Sequence, residues 1–192
     1  MDRLRLDGEL TGEEFRLVGL DASLVGGSLD AVGRLGLTDP ERPLELYLGA
    51  YGFPLDKLPL LPDTVEVEDG SLHAQVLVSG PLERLRADGR VQVTAKKLEL
   101  YRYNLTLNDL ELGLGFTPEA AELTRFGCLV GGGRLTGSGR VAYGPDFLDG
   151  EATLTGTGLR VRNLADLFSG EANLAVRLEV GPAGAQVTGL IE

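Results

Sequence analysis

The sequence predicts an all-β fold, an antiparallel-rich sheet with one apolar and one polar face and one or two short helical turns. Three observations carry that reading. Apolar and polar residues alternate over most of the chain, and successive strand residues point to opposite faces, so alternation writes a half-buried strand. A glycine, a polar residue and then alternating apolar residues recur nine times within 192 residues. Stretches with helical periodicity are few and short.

Taken in order, Leu4-Arg5-Leu6 already alternates, and Gly8-Glu9-Leu10 is the first copy of the glycine pattern. Further copies begin at Gly27, Gly33, Gly70, Gly89, Gly133, Gly139, Gly150 and Gly170. Each is read as a strand start, because glycine accepts the positive φ of a turn or bulge that a Cβ penalises. The clearest alternation runs through Leu44, Leu46, Leu48 and Ala50, then Leu72, Ala74, Val76 and Val78. It returns at Leu110, Leu112, Leu114 and Phe116, and again from Ala172 through Leu174, Val176 and Leu178 to Val180. Turns are expected at Thr38-Asp39-Pro40, Pro62-Asp63, Glu68-Asp69-Gly70, Asn108-Asp109, Thr117-Pro118-Glu119 and Gly144-Pro145-Asp146. Two segments break the pattern, Pro54 to Leu61 and Asn163 to Phe168; each is expected to form about one helical turn, the second with Asn163 as N-cap.

A longer repeat overlies the short one. Leu24-Val25-Gly26-Gly27 matches Leu129-Val130-Gly131-Gly132, an offset of 105 residues (129 − 24 = 105), and Gly33-Arg34-Leu35 matches Gly139-Arg140-Val141. Residues 1–192 therefore read as one continuous β-array holding two related units, approximately 8–112 and 113–192, the second cut short. Alternation still running at Val187 to Ile191 suggests that the chain is an internal piece, with sheet edges at both ends that neighbouring repeats of a parent chain would cover.

Composition narrows the function classes. The net charge is −11, with both signs mixed along the strands. Nucleic acid is not an expected partner, because phosphate binding needs a concentrated basic patch, and an anionic membrane surface is disfavoured for the same reason. Leu dominates the apolar positions and Ile occurs only at Ile191, although sheets favour β-branched residues. Cys128 lies alone in an apolar stretch, where a small buried hydrophobe is the plain reading.

Catalysis, cofactors and metals find little support, and no enzyme is expected. His73 sits between Leu72 and Ala74 and reads as a solvated strand residue. Glu66/Glu68 and Asp109/Glu111 have the i, i+2 spacing of carboxylates sharing a strand face, but outer-face charge of this kind recurs on nearly every strand. Gly131 to Gly139 has no Gly-Lys-Ser/Thr ending and no helix after it, so a phosphate loop is not built; bends or bulges are expected there. Tyr101 and Tyr103 beside Lys96 and Lys97 read as ordinary strand composition on a lysine-protected edge, the alternative being an amphipathic rim.

The glycine-led starts, the run Leu129-Val130-Gly131-Gly132-Gly133-Arg134-Leu135-Thr136-Gly137 and the block from Leu58 to Leu98 resemble the AsmA-like superfamily, specifically its TamB type. The resemblance covers essentially the whole chain and rests on order and spacing more than on any single motif. It implies an elongated, strongly curved sheet, taco-like in section, with an apolar interior, in a cell-envelope protein that crosses the periplasm from an inner-membrane anchor. It also implies phospholipid acyl chains as cargo, or assistance to outer-membrane protein assembly through partners there. Roughly sixteen strands about 4.8 Å apart would make such a sheet on the order of 75 Å long. The residues expected to line the groove are Leu46, Leu48, Leu72, Val76, Val78, Val91, Val93, Leu105, Leu107, Leu112, Leu114, Leu135, Val141, Leu154, Leu174, Val176 and Leu178. Alternation is equally compatible with a closed sandwich, as in a structural or adhesive stalk whose apolar face is sealed core; a carbohydrate-active β-helix is a more distant reading.

Overall fold

The computed structural model describes residues 3–24, 26–37, 44–57, 61–143, 148–164, 168–181 and 184–192. The strands are β1 (Arg3–Leu10), β2 (Glu14–Leu24), β3 (Gly27–Gly36), β4 (Leu44–Pro54), β5 (Val65–Gly80) and β6 (Arg86–Leu100). They continue as β7 (Leu105–Phe116), β8 (Ala120–Val130), β9 (Gly133–Tyr143), β10 (Leu148–Leu164), β11 (Phe168–Gly181) and β12 (Gly184–Ile191). Two 3-10 turns interrupt them, Leu55–Lys57 and Tyr101–Tyr103.

All strands belong to one 12-stranded sheet whose spatial order is the sequence order, so each strand pairs with the one before and the one after it. β1 and β12 are not neighbours, and the sheet is not closed into a barrel. Pairing is antiparallel from β1 to β4 and from β8 to β12.

The expectation of roughly sixteen strands is too high; twelve form among the described residues, because several glycine-led starts lie inside strands. Gly33 continues β3 and Gly139 continues β9, while only Gly27 and Gly133 open a strand. Two expected turns, at Glu68-Asp69-Gly70 and Asn108-Asp109, are likewise absorbed into β5 and β7. Asp69 (φ 49°) and Asp109 (φ 50°) take left-handed kinks within the strand, which a short polar side chain tolerates better than a bulky one. The turns at Pro62-Asp63 and Thr117-Pro118-Glu119 do separate strands. Those at Thr38-Asp39-Pro40 and Gly144-Pro145-Asp146 lie outside the described residues. The first helical turn narrows to Leu55–Lys57 within the described residues. For the second, Asn163 and Leu164 close β10 and Phe168 opens β11, so Asn163 is not a helix cap, and residues 165–167 lie outside the description. Lys96 and Lys97 stand on β6, an inner strand rather than an edge.

The pairings repeat. Leu24↔Gly27 and Leu17↔Gly33 join β2 to β3, with a bulge between Leu17 and Leu20. Val130↔Gly133 and Leu123↔Gly139 join β8 to β9, with a register shift beginning after Leu123. The offset is 106 residues (133 − 27 = 106). Arg34↔Glu45 between β3 and β4 recurs at the same offset as Arg140↔Glu151 between β9 and β10. Gly26 and Gly132 turn the two hairpins at φ 94° and 92°, and Gly52 and Gly158 kink the following strands at φ 58° and 60°. A Cβ added at Gly27 would sit 2.3 Å from the Gly52 carbonyl oxygen, and one at Gly133 would sit 2.1 Å from that of Gly158. Both glycines are therefore required by backbone approach.

By internal contacts the chain divides into two compact units. One comprises Met1–Pro54, Leu72–Val91 and Gly115–Glu119, the other Leu55–Ser71, Gln92–Leu114 and Ala120–Glu192. The second unit holds a buried cluster of Ala95, Leu110, Cys128, Val130 and Leu159, with Leu98, Phe126 and Val161 among the residues packed on it. At its margin β10 outruns β9. Beyond Thr157↔Arg134, the Arg160 backbone abuts Gly131 at the hairpin tip, and the Arg162 carbonyl accepts a 2.8 Å hydrogen bond from Asn104 Nδ2.

Gly27→Ala and Gly133→Ala should each cost about 2–4 kcal/mol in urea denaturation, since backbone must move to admit the methyl group. Gly12→Ala, where an added Cβ meets nothing within 4 Å, should stay within about 0.5 kcal/mol of wild type.

Candidate functional site

The feature with functional reach is the apolar face, and strand register assembles it. In the first unit Leu4, Leu6 and Leu10 on β1 stand opposite Ala22, Leu20 and Phe15 on β2. Leu20 and Ala22 meet Ala31 and Leu29 on β3, which in turn meet Leu48 and Ala50 on β4. In the second unit Leu135, Gly156, Leu174 and Ile191 form one row across β9 to β12, and Gly137, Leu154, Val176 and Gly189 form the next. Gly139, Ala152, Leu178 and Val187 make a third.

Glycine is interleaved with large residues in these rows because there is no room for more. A Cβ at Gly137 would lie 3.3 Å from Leu154 Cδ1, one at Gly150 3.0 Å from Val141 Cγ2, and one at Gly189 2.8 Å from Val176 Cγ2. The glycines thus admit the neighbouring large side chains, a role distinct from turning the chain.

Each expected lining residue falls on a strand. Leu46 and Leu48 share the β4 face with Ala50. Leu135, Val141, Leu154, Leu174, Val176 and Leu178 share one face of β9 to β11. Leu105, Leu107, Leu135 and Leu174 pack on the buried cluster. Leu72, Val76, Val78, Val91, Val93, Leu112 and Leu114 are half-buried, whereas the intervening His73, Leu77, Arg90, Gln92, Thr94 and Glu111 are exposed. The face also takes in Phe15, Leu17, Leu20 and Ala22, which sequence reasoning missed. The bulge between Leu17 and Leu20 hides their alternation by inserting Val18 and Gly19.

The opposite face carries cross-strand ion pairs: Arg34 with Glu45 at 2.9 Å, Arg125 with Glu111 at 3.1 Å and Arg177 with Glu151 at 2.9 Å. The Glu45 carboxylate, through its hydrogen bond and charge, raises the Arg34 pKa further. The hydrogen bond to Tyr51 raises that of the Tyr47 phenol. Glu99 does the same for Lys97. Such exposed pairs set register and solubility more than stability.

The candidate catalytic groups are engaged locally. His73 is exposed but not merely solvated, since its Nδ1 accepts a 3.2 Å bond from the Gly52 N–H. Asn173 Oδ1 serves the Gly158 N–H in the same way at 2.9 Å. Glu66 accepts a hydrogen bond from the Tyr101 hydroxyl, and Glu68 pairs with Lys96 at 3.4 Å. Asp109, in a left-handed conformation, and Glu111 are both exposed on either side of buried Leu110. Tyr103 lies under the Arg102 guanidinium at 5.9 Å. Gly131 and Gly132 form the β8–β9 turn with φ 57° and 92°, rather than a bend in a strand. Among the described residues no three His, Cys, Asp or Glu side chains converge as a metal site.

No protein-family model matches the chain, and neither a curated protein nor a solved structure matches it.

Cys128 is buried in the cluster, and desolvation raises its thiol pKa, which disfavours the reactive thiolate. At pH 8 iodoacetamide should therefore label the native protein slowly, with a rate that rises through the urea transition and not before it. Asn173→Ala, which removes the acceptor for Gly158 N–H, should cost about 0.5–1.5 kcal/mol in the same denaturation experiment.

Proposed function

We propose that the apolar face is the working surface of a non-enzymatic lipid-carrying protein, and that it receives the acyl chains of phospholipids. On this reading the sheet curls toward that face, and the chain is a segment of an AsmA-like, TamB-type protein of the bacterial cell envelope. There it would move phospholipid between inner and outer membranes or assist outer-membrane assembly.

The observation that carries the proposal is an apolar face that little covers. Among the described residues every element except the two 3-10 turns is a strand of the same sheet. Leu4, Leu6 and Leu10 at one margin, and Val187 and Ile191 at the other, are 56 to 73% exposed. The interleaved glycines support curvature as well, since side chains converge on the concave side of a sheet. Acyl chains on such a face gain about 0.8 kcal/mol for each CH₂ taken out of water, and leucine offers them no directional preference.

One observation favours the rival stalk reading: the cluster around Ala95, Leu110, Cys128, Val130 and Leu159 is buried, as a sealed core would be throughout.

Leu112→Arg and Val176→Asp separate the two. Both residues are half-buried, so on an open face the new charge reaches water. Both variants should then stay folded, with a loss within about 0.5–3 kcal/mol, while phospholipid detected by native mass spectrometry falls sharply. Unfolding of both variants would favour a sealed core, where an unpaired charge is intolerable. Folded variants with undiminished lipid would remove these residues from the lipid surface.

A further inference from the structure

One cleft in the second unit has a charge pattern unlike the others. It encloses about 540 Å³ between the start of β7, the end of β8 and the end of β10. Its polar lining is Asn104, Thr106, Asn108, Arg160 and Arg162, without a carboxylate. In a chain of net charge −11 that is a local reversal. Three other clefts mix the two signs: Arg140 with Asp149, Glu151 and Glu179 in one, Arg3 and Arg5 with Asp21 and Asp30 in a second, and Arg16 and Arg34 with Glu9 and Glu45 in a third.

The two arginines are not equivalent. Arg160 is held by Glu171, with Nε 3.1 Å from Oε2. The Arg162 guanidinium has no ion-pair partner among the described residues, whereas its backbone carbonyl is engaged. That carbonyl is fixed by Asn104, whose left-handed conformation (φ 49°, ψ 44°) ends the second 3-10 turn and whose Nδ2 donates to it at 2.8 Å. The bond ties the backbone of β10 to the first residues of β7, so Arg162 is held beside Thr106 and Asn108 rather than left on a free strand end.

We propose that this cleft binds a small oxyanion of phosphate chemistry, with Arg162 as the cationic donor, Thr106 and Asn108 as neutral donors, and Asn104 as a positioning residue. A guanidinium presents a planar fork of N–H donors that fits phosphate oxygens in pairs, and hydroxyl and amide groups supply single donors beside it. The volume falls within the range of small-molecule sites, about 300–1,000 Å³, so a phosphate carrying an organic group fits as well as the free ion. The inference is independent of the apolar face, because the phosphate source can be soluble or a lipid headgroup.

The test follows backbone amide shifts of ¹⁵N-labelled protein during titration with inorganic phosphate at low ionic strength. In parallel, vesicles of phosphatidylcholine with and without phosphatidic acid are assayed by co-sedimentation. Saturable shifts centred on Thr106, Asn108 and Arg162, weakened by added salt, are expected for phosphate if the source is soluble. Retention by phosphatidic acid vesicles alone, lost in Arg162→Gln, would assign the source to a headgroup. Arg162→Gln should lower the affinity at least about tenfold, with Arg162→Lys falling between. Asn104→Ala should weaken binding while leaving its salt dependence in place. Folding of each variant is checked by its melting curve; Arg162 is exposed, so Arg162→Gln is expected to fold as wild type. Absence of saturable binding with both probes, or an unchanged affinity in folded Arg162→Gln, would overturn the proposal.

Discussion

A sheet whose faces differ in polarity tolerates no slip of its strands, because a shift of one residue carries every leucine of that strand to the wrong side. The rest of this structure depends on that constraint. Register is pinned where backbones approach too closely for any side chain, at Gly27 beside Gly52 and at Gly133 beside Gly158. Only one alignment brings each glycine against its partner carbonyl. Cross-strand pairs such as Arg34 with Glu45 then fall opposite one another on the polar face, adding a smaller preference for the same alignment.

Side-chain volume on the apolar face obeys the same rule. Leu154 and Val176 stand between Gly137 and Gly189, and a methyl group at either glycine would touch them. Large residues are thus spaced by empty positions across the strands, although each strand read by itself shows only ordinary alternation. Packing of this kind is a property of rows perpendicular to the chain, and its partners lie on different strands, far apart in sequence.

Strand periodicity and the absence of long helices were legible in the sequence, because alternation is local and each strand carries its own. The second level was legible less faithfully. Gly33 and Gly139 look like new starts but continue β3 and β9, since a glycine that relieves a close approach and a glycine that turns the chain are the same letter. Asp69 and Asp109 look like turns for a related reason: a left-handed residue reverses the chain only when the strands on either side also part. Val18 and Gly19 conceal the alternation of β2, where a bulge moves the phase. The Asn104–Arg162 contact had no local signal, because it joins residues separated by the whole of β7, β8 and β9. The candidate lining residues were identified from alternation alone, which places them on a face without saying what lies over it.

The spatial order of the strands is also their order of synthesis, and this governs how the chain reaches its structure. Sheet proteins commonly fold slowly because strands distant in sequence must find one another. Here every ladder joins consecutive strands, so each closes a short loop, and a hairpin formed anywhere can act as a seed to which the next strand is added. A nascent chain could lay down its sheet progressively, one strand at a time, without waiting for its last residues. The same economy leaves the growing margin exposed at every stage, with unpaired N–H and C=O groups ready for the next arrival.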